Sequence, residues 1–374
     1  MGNSLMRILI AAAALLGLAA TASAQQVSGQ GKDCTTAIFR GFDPVTDQII
    51  NVNHNTCIAG NLSRQNDIHV PEVVGRAVRN SFGIGPTSVQ PAGLSGLIAQ
   101  DDDRLSASEI SISPTADVAA VAPVASTMWN VWGDGRYLYS DYSIAAGDLD
   151  GPTWSGLGGF DYKLTDKITL GLLVSGDTSH LGSGPADSNS SSLGGGPYLG
   201  IVLTDNIVFS ANVMGSSVES DQFGGLLQFQ TSRIQAASTL TGYWYQDTWR
   251  FSPAVTLSWS KDWEKETSNF ALPDRTIEVG LLTPSLQIGN TLRLSDTTTV
   301  EPWLGAALDW TFVNRIDASG VGSTNDTSTD LRFQAGLNFT FNTNTQLAIT
   351  GEAAGLLLDD LNSYSVEANL AVQF

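Results

Sequence analysis

The strongest constraint on this chain is a two-residue hydrophobic period that recurs in twelve segments of its last two-thirds. The segments run near 127–140, 153–164, 166–177, 191–203, 206–218, 230–245, 248–261, 276–290, 298–312, 329–341, 344–356 and 363–374. In 166–177 the apolar set is Ile168, Leu170, Leu172 and Val174; in 329–341 it is Leu331, Phe333, Ala335, Leu337, Phe339 and Phe341. Residues two apart share one face of a strand, so each segment presents one apolar and one polar face. The connections between segments alternate too. Every second one is a tight Asx-rich turn: Thr165-Asp166, Thr204-Asp205-Asn206, Gln246-Asp247, Ser295-Asp296-Thr297 and Asn342-Thr343-Asn344. Asn and Asp suit such turns because their side chains bond nearby backbone and tolerate left-handed geometry. The intervening connections, 141–152, 178–190, 219–229, 262–275, 313–328 and the shorter 357–362, are mostly long and polar. A soluble sandwich also alternates, but it does not place short turns on one rim and long loops on the other through twelve strands. The pattern predicts an all-β fold: a transmembrane antiparallel up-and-down β-barrel of 12 strands, with a small, mostly irregular N-terminal region. An even strand number puts both barrel termini at the short-turn rim, with the long loops outside.

Composition agrees with this reading and removes its competitors. The 374 residues carry 37 acidic and 18 basic side chains, a formal charge of −19, and a mean hydropathy of +0.02. Hydropathy that high argues against disorder. So acidic a chain has no basic face for nucleic acid. The one apolar run approaching the roughly 20 residues of a membrane helix lies at the N-terminus. Alternation explains how a chain with 42% apolar residues averages to neutrality.

Met1 to Ala24 reads as a signal peptide, with Arg7 in the n-region, an apolar stretch Ile8–Ala20 and an Ala22-Ser23-Ala24 cleavage site. Export places Cys34 and Cys57, the only cysteines, in an oxidising space. A Cys34–Cys57 disulfide is expected, worth roughly 3 kcal/mol. Two cysteines and His54 fall short of a four-ligand metal set. Residues 25–125 show little periodicity and are expected to hold a short N-terminal region and linker. Within them Pro71 to Asn80 predicts a short helix, with Val73, Val74, Ala77 and Val78 on one side. The barrel domain is 126–374.

If the apolar set faces lipid, the alternate residues face the lumen. That assigns Asp134, Arg136, Arg233, Arg250, Glu278, Glu301, Asp309, Arg332, Glu352 and Glu367 to the interior. An arginine on the lipid face at mid-depth would cost about 2–4 kcal/mol, so the absence of charge from the apolar set supports the phase. Either an internal salt-bridge network or a hydrated lining fits these charges, and the network is favoured. Gly171, Gly195, Gly280, Gly305 and Gly336 fall in the same phase, where small residues leave room for a threaded segment or water. Aromatic residues near strand ends, among them Tyr137, Tyr139, Tyr243, Trp244, Trp249, Trp259, Trp263, Trp310, Phe312, Phe339 and Phe341, read as interfacial girdles. The chain ends on an apolar ladder, Tyr364, Val366, Ala368, Leu370, Val372 and Phe374, of the kind read as a C-terminal assembly signal.

No catalytic, cofactor or metal constellation emerges. Gly93-Leu94-Ser95-Gly96-Leu97 fails the nucleophile-elbow pattern at its last position, and no H-E-x-x-H occurs. Asp101-Asp102-Asp103 lacks a calcium-loop spacing. His180, with Asp177 and Asp187 near it in sequence, reads as a surface histidine.

The strands themselves resemble a known family. Trp129-Asn130-Val131-Trp132 through Gly135-Arg136-Tyr137, then Gly159-Phe160-Asp161-Tyr162-Lys163-Leu164-Thr165-Asp166 with Ile168-Thr169-Leu170-Gly171, resemble the opening of the autotransporter β-domain. Gly196-Pro197-Tyr198-Leu199-Gly200 with Leu203-Thr204-Asp205-Asn206, Glu301-Pro302-Trp303 and the Tyr364–Phe374 strand are similar to its later parts. The resemblance covers about 126–374. It implies a monomeric, non-enzymatic barrel in the outer membrane of a Gram-negative bacterium, in contact with lipid and lipopolysaccharide. It further implies insertion by the barrel-assembly machinery with periplasmic chaperones, type V secretion of an N-terminal passenger, and a lumen helix just before the first strand, here Arg104 to Ser126. Residues 25–125 lack the Gly/Asx-rich repeats usual in passengers. The alternative is a stand-alone outer-membrane channel or adhesion barrel with a periplasmic appendage. In either case an acidic outer rim is expected from loop residues such as Asp141, Asp150, Asp187, Glu219, Asp221, Glu264 and Asp317, where divalent cations would bridge to lipopolysaccharide phosphates.

Overall fold

In the computed structural model the described residues are 37–43, 48–54, 56–84, 128–142, 149–182, 187–222, 225, 227–267, 274–318, 322–325, 327–342, 344–358 and 361–374, with side chains described from residue 65 onward. The signal peptide, Cys34, Asp101-Asp102-Asp103 and the Arg104–Ser126 stretch lie outside them. The disulfide therefore remains an expectation.

Twelve strands close one antiparallel barrel. They are β1 (Trp129–Tyr142), β2 (Leu149–Thr165), β3 (Ile168–Leu181), β4 (Ser188–Thr204), β5 (Ile207–Gln222) and β6 (Leu227–Gly242). Then follow β7 (Trp249–Glu266), β8 (Arg275–Asn290), β9 (Thr298–Ala318), β10 (Ser328–Phe341), β11 (Thr345–Ala354) and β12 (Leu361–Gln373). Each pairs with the next, and β12 pairs with β1 through the register Glu367↔Arg136 and Asn369↔Asp134. The seam closes at the chain end, where Trp129 and Phe374 exchange backbone hydrogen bonds of 3.1 and 3.0 Å. Ahead of the barrel stand a two-stranded hairpin, Ala37–Asp43 with Gln48–His54, and one helix, α1 (Thr56–Ser81).

The tight turns adopt the geometry their residues favour, with Asp247 at φ 54° and Asn342 at φ 49°, both left-handed. On the other rim the strands continue into regions expected to be loop. The longest, β9, has 21 residues, against the 9–11 that cross a membrane. These hairpins project beyond the bilayer.

The phase is explicit in burial. β1 alternates exposed and buried along its whole length, and so does β12 until its last residues. Leu193 is 73% exposed, Leu304 69% and Val174 63%, while Glu301 and Asp309 are fully buried. An apolar face open to the surroundings beside buried charge is the surface of a barrel solvated by lipid. Aromatic pairs belt the outside near both rims: Trp129 with Tyr162 at 4.8 Å, and Tyr137 with Trp154 at 4.7 Å. Tyr243 departs from the expected girdle. It is buried inside, against the end of α1.

Candidate functional site: the plugged lumen

The lumen is filled by α1. Its expected start at Pro71 is wrong: the helix runs back to Thr56 and carries Pro71 in its interior. Proline lacks an N–H and costs about 3 kcal/mol there, so the surroundings must hold the helix together. They do so on two sides. Val70, Val73, Val74, Ala77 and Val78 pack in one cluster with Trp132, Leu157, Leu173, Tyr198, Val202, Val208 and Met214 of β1–β5. Charged and polar residues hold the remaining faces. Gly83 ends the helix at φ 66°, with Gly83 N–H bonding Asn80 O at 2.8 Å and Ile84 N–H bonding Arg79 O at 3.1 Å, a Schellman arrangement.

The direction of α1 is fixed by its partners. At its C-terminal end Ser81 meets Thr169 at 3.2 Å, Gln373 donates to Asn80 O, and Asn130 Nδ2 reaches Ala77 O at 3.5 Å. Those strand residues lie at the short-turn rim. Nearer its N-terminal end Gln65 donates to Ser140 at 3.3 Å, and Asp67 accepts from Ser260 at 2.6 Å. Those strand residues lie toward the long-hairpin rim. Gly200 makes room for the helix, because a Cβ there would stand 2.4 Å from Val78 Cγ1.

Nine of the ten charges assigned to the interior lie buried there, most of them in a few ionic groups. Arg233 forks onto Asp262 with two bonds of 2.7 Å. Arg250 clasps Glu301 with three bonds between 2.8 and 3.1 Å, and Asn338 Nδ2 donates to the same carboxylate at 2.9 Å. Arg332 is a hub: it meets Asp309 at 3.0 Å, Glu352 at 2.6 Å and Glu72 of α1 at 2.8 Å. Arg136 joins the hub through Glu352 at 2.9 Å. Asp134 and Glu367 face His69 and Arg76 of α1.

Glu278 is the exception. Its carboxylate accepts from Trp259 Nε1 at 2.8 Å on the outer face, while Ile277, Val279 and Leu281 take the inward positions. The register between β8 and β9 shifts opposite Gly280/Leu281, where Phe312 is the extra residue on β9, whereas β8 itself keeps one phase from Arg275 to Asn290. Gly280 accordingly lies against Phe312, which packs with outward Trp310. The inward glycines Gly171 and Gly336 admit the rings of Tyr198 and Trp303 rather than water. Glu264, expected in the acidic rim, turns inward and pairs with Arg275.

Alternation missed the apolar inward residues. Their signal was present as breaks in the period: Leu172-Leu173-Val174, Ile201-Val202, Ile207-Val208 and Val213-Met214 each put apolar groups on both faces. The charged partners on α1, namely Asp67, His69, Glu72 and Arg76, had no such signal.

A polar vestibule opens above α1 at the long-hairpin side, lined in part by Gln65, Asn66, Arg136, Asp177, Arg233 and Asp262. Asp177 accepts from Ser192, whereas His180 is exposed and pairs with Asn189, so the two do not form one site.

A closed antiparallel barrel with an apolar outer belt, aromatic girdles and a charged interior is a transmembrane barrel of the outer-membrane class. No family model matches the sequence, and no curated protein does. Among solved structures, the β-domain of the Bordetella autotransporter BrkA superposes with a TM-score of 0.53 at 15% identity, over 66% of this chain and 100% of that one. The translocator domain of autotransporter NalP from Neisseria meningitidis gives 0.49 at 12%, over 67% and 90%. An outer membrane channel from Pseudomonas putida F1 gives 0.43 at 16%, over 71% and 100%. The first superposition gives this chain, over 66% of its length, the fold of an autotransporter β-domain.

Proposed function

We propose that this chain is an outer-membrane translocator of autotransporter type, which anchors its own N-terminal segment and delivers it to the cell surface. The observation that carries this reading is the direction of α1. Its C-terminus meets the short-turn rim, where β1 begins, and its N-terminus points toward the long hairpins. A chain threaded this way brings residues 25–55 out at the long-hairpin mouth. A periplasmic appendage would enter the lumen from the opposite rim. The ionic groups of the lumen hold the plug and the barrel wall, and we assign them no catalysis. Assembly by the barrel-assembly machinery and periplasmic chaperones, contact with lipopolysaccharide, and a monomeric state complete the reading.

A tag inserted after Gln25 tests it on intact cells. External protease should remove the tag while the barrel stays intact. A tag that is protected until the outer membrane is permeabilised would place the segment in the periplasm and sink the translocator reading.

A further inference from the structure

The geometry points to a divalent transition-metal site formed by His69 of α1, Asp134 of β1 and Glu367 of β12, which pins the plug to the seam of the barrel. All three residues are buried, and their ligand atoms lie within 4.8 Å of one another. His69 Nε2 stands 3.1 Å from Asp134 Oδ1 and 3.8 Å from Glu367 Oε2. Ligands about 2.0–2.1 Å from a tetrahedral Zn²⁺ stand roughly 3.3 Å apart, so these edges bracket that spacing.

The division of oxygens supports the assignment. Arg76 takes the other atom of each carboxylate, Glu367 Oε1 and Asp134 Oδ2, the latter at 3.9 Å. Asn369 Nδ2 also points to Asp134 Oδ2, at 3.4 Å. The guanidinium and the amide thus act on the far oxygens and leave those facing His69 for a cation. Outer partners of this kind orient carboxylate ligands in metal sites.

Charge supplies an independent argument. Around this corner Asp134, Glu367, Glu72, Asp309 and Glu352 face Arg76, Arg136 and Arg332. Five carboxylates, of which Glu72 is half-buried and the other side chains buried, against three guanidiniums leave a deficit of two positive charges, with His69 neutral. Uncompensated buried charge is strongly unfavourable, and one divalent cation on the three ligands removes the deficit. One imidazole and two carboxylates suit borderline ions such as Zn²⁺ and Co²⁺. A cavity of about 10 Å³ beside His69 shares Asn66, Ser155, Asp177 and Arg233 with the vestibule above.

The test uses the full chain refolded in detergent, stripped with chelator and titrated with ZnCl₂ by calorimetry and with CoCl₂ by visible absorption. One equivalent should bind, the cobalt form should show the intense band of a four-coordinate N/O site, and zinc should raise the temperature at which the folded band is lost. His69→Gln and Asp134→Asn should each weaken zinc binding at least tenfold. His180→Gln, at the surface histidine, should leave it unchanged. Glu367→Gln stands in for either variant that fails to fold. The proposal is overturned if the wild type binds no zinc, if His69→Gln binds as tightly as wild type, or if acidifying the stripped protein stabilises it while zinc does not. The last result would assign the missing charge to protons.

Discussion

Replacing Arg332 with Met separates an ionic interior from a hydrated one. Arg332 is 1% exposed and serves three carboxylates: Asp309 at 3.0 Å, Glu352 at 2.6 Å and Glu72 at 2.8 Å. Methionine keeps the stem volume and removes the charge, so packing changes little. The three carboxylates are then left facing one another, with Arg136 the remaining cation on Glu352. Removing one partner of a buried pair costs about 3–5 kcal/mol. At 1.36 kcal/mol per decade this shifts the folding equilibrium roughly 150- to 5,000-fold. A water-filled lumen would screen the same contacts to about 0.2–1 kcal/mol. The assay is urea unfolding in vesicles, with heat-modifiable gel migration reporting the folded fraction. A triple variant, Arg332→Met with Asp309→Asn and Glu72→Gln, neutralises the two carboxylates left without a cation, keeps the Arg136–Glu352 pair, and should recover most of the loss. A loss below about 1 kcal/mol for Arg332→Met alone, or no recovery in the triple variant, would refute the buried-network account.

Leu172→Arg, on the lipid face where Leu172 is 51% exposed, should cost about 2–4 kcal/mol in the same assay; a change within 0.5 kcal/mol would contradict the phase of β3. Gly200→Val should push α1 aside, because its Cβ would stand 2.4 Å from Val78 Cγ1 and 2.8 Å from Thr169 Cγ2. Overpacking of this size costs about 1–3 kcal/mol, and single-channel recordings should show openings absent from the wild type; identical traces would mean the helix does not seal the lumen. Deletion of Phe374 should reduce assembly into the outer membrane, since its backbone closes the seam on Trp129 and its side chain, 64% exposed, ends the outward ladder of Tyr364, Val366, Leu370 and Val372. Unchanged assembly would separate the terminal residue from insertion.

The barrel was legible because its two signals are local. A strand's period is written in neighbours two apart, and a tight turn in two or three Asx residues, so all twelve strands could be placed from the sequence. The failures lie where a long-range contact overrides the period. In β8 the residues Ile277, Val279 and Leu281 lie within, and Glu278, one residue off their phase, therefore lies outside on an unbroken register with β7. Tyr243 looked like a girdle residue because it sits at a strand end, yet it packs on the end of α1. Neither position carries a distinctive residue type.

The plug was half legible, and the half that was missed carries the chemistry. Val70, Val73, Val74, Ala77 and Val78 form an apolar stripe, but periodicity cannot say what a stripe packs against. The answer lay in another part of the chain. Leu173, Val202, Val208 and Met214 are apolar residues in the inward phase, all toward the short-turn rim of β3–β5. A lumen filled with water would have no use for them there, because exposed apolar surface costs roughly 25 cal/mol per Å². Breaks in alternation confined to one end of adjacent strands therefore call for an apolar partner inside the barrel, and α1 supplies the only described stripe of matching size. The charges invert this logic. Asp134 and Glu367 lie buried in the lumen, yet nothing in β1 or β12 reveals that His69 and Arg76 meet them, since those contacts span 58 residues and more. Where the apolar half of the lumen fixes that a helix must be present, the charged half fixes its rotation and height.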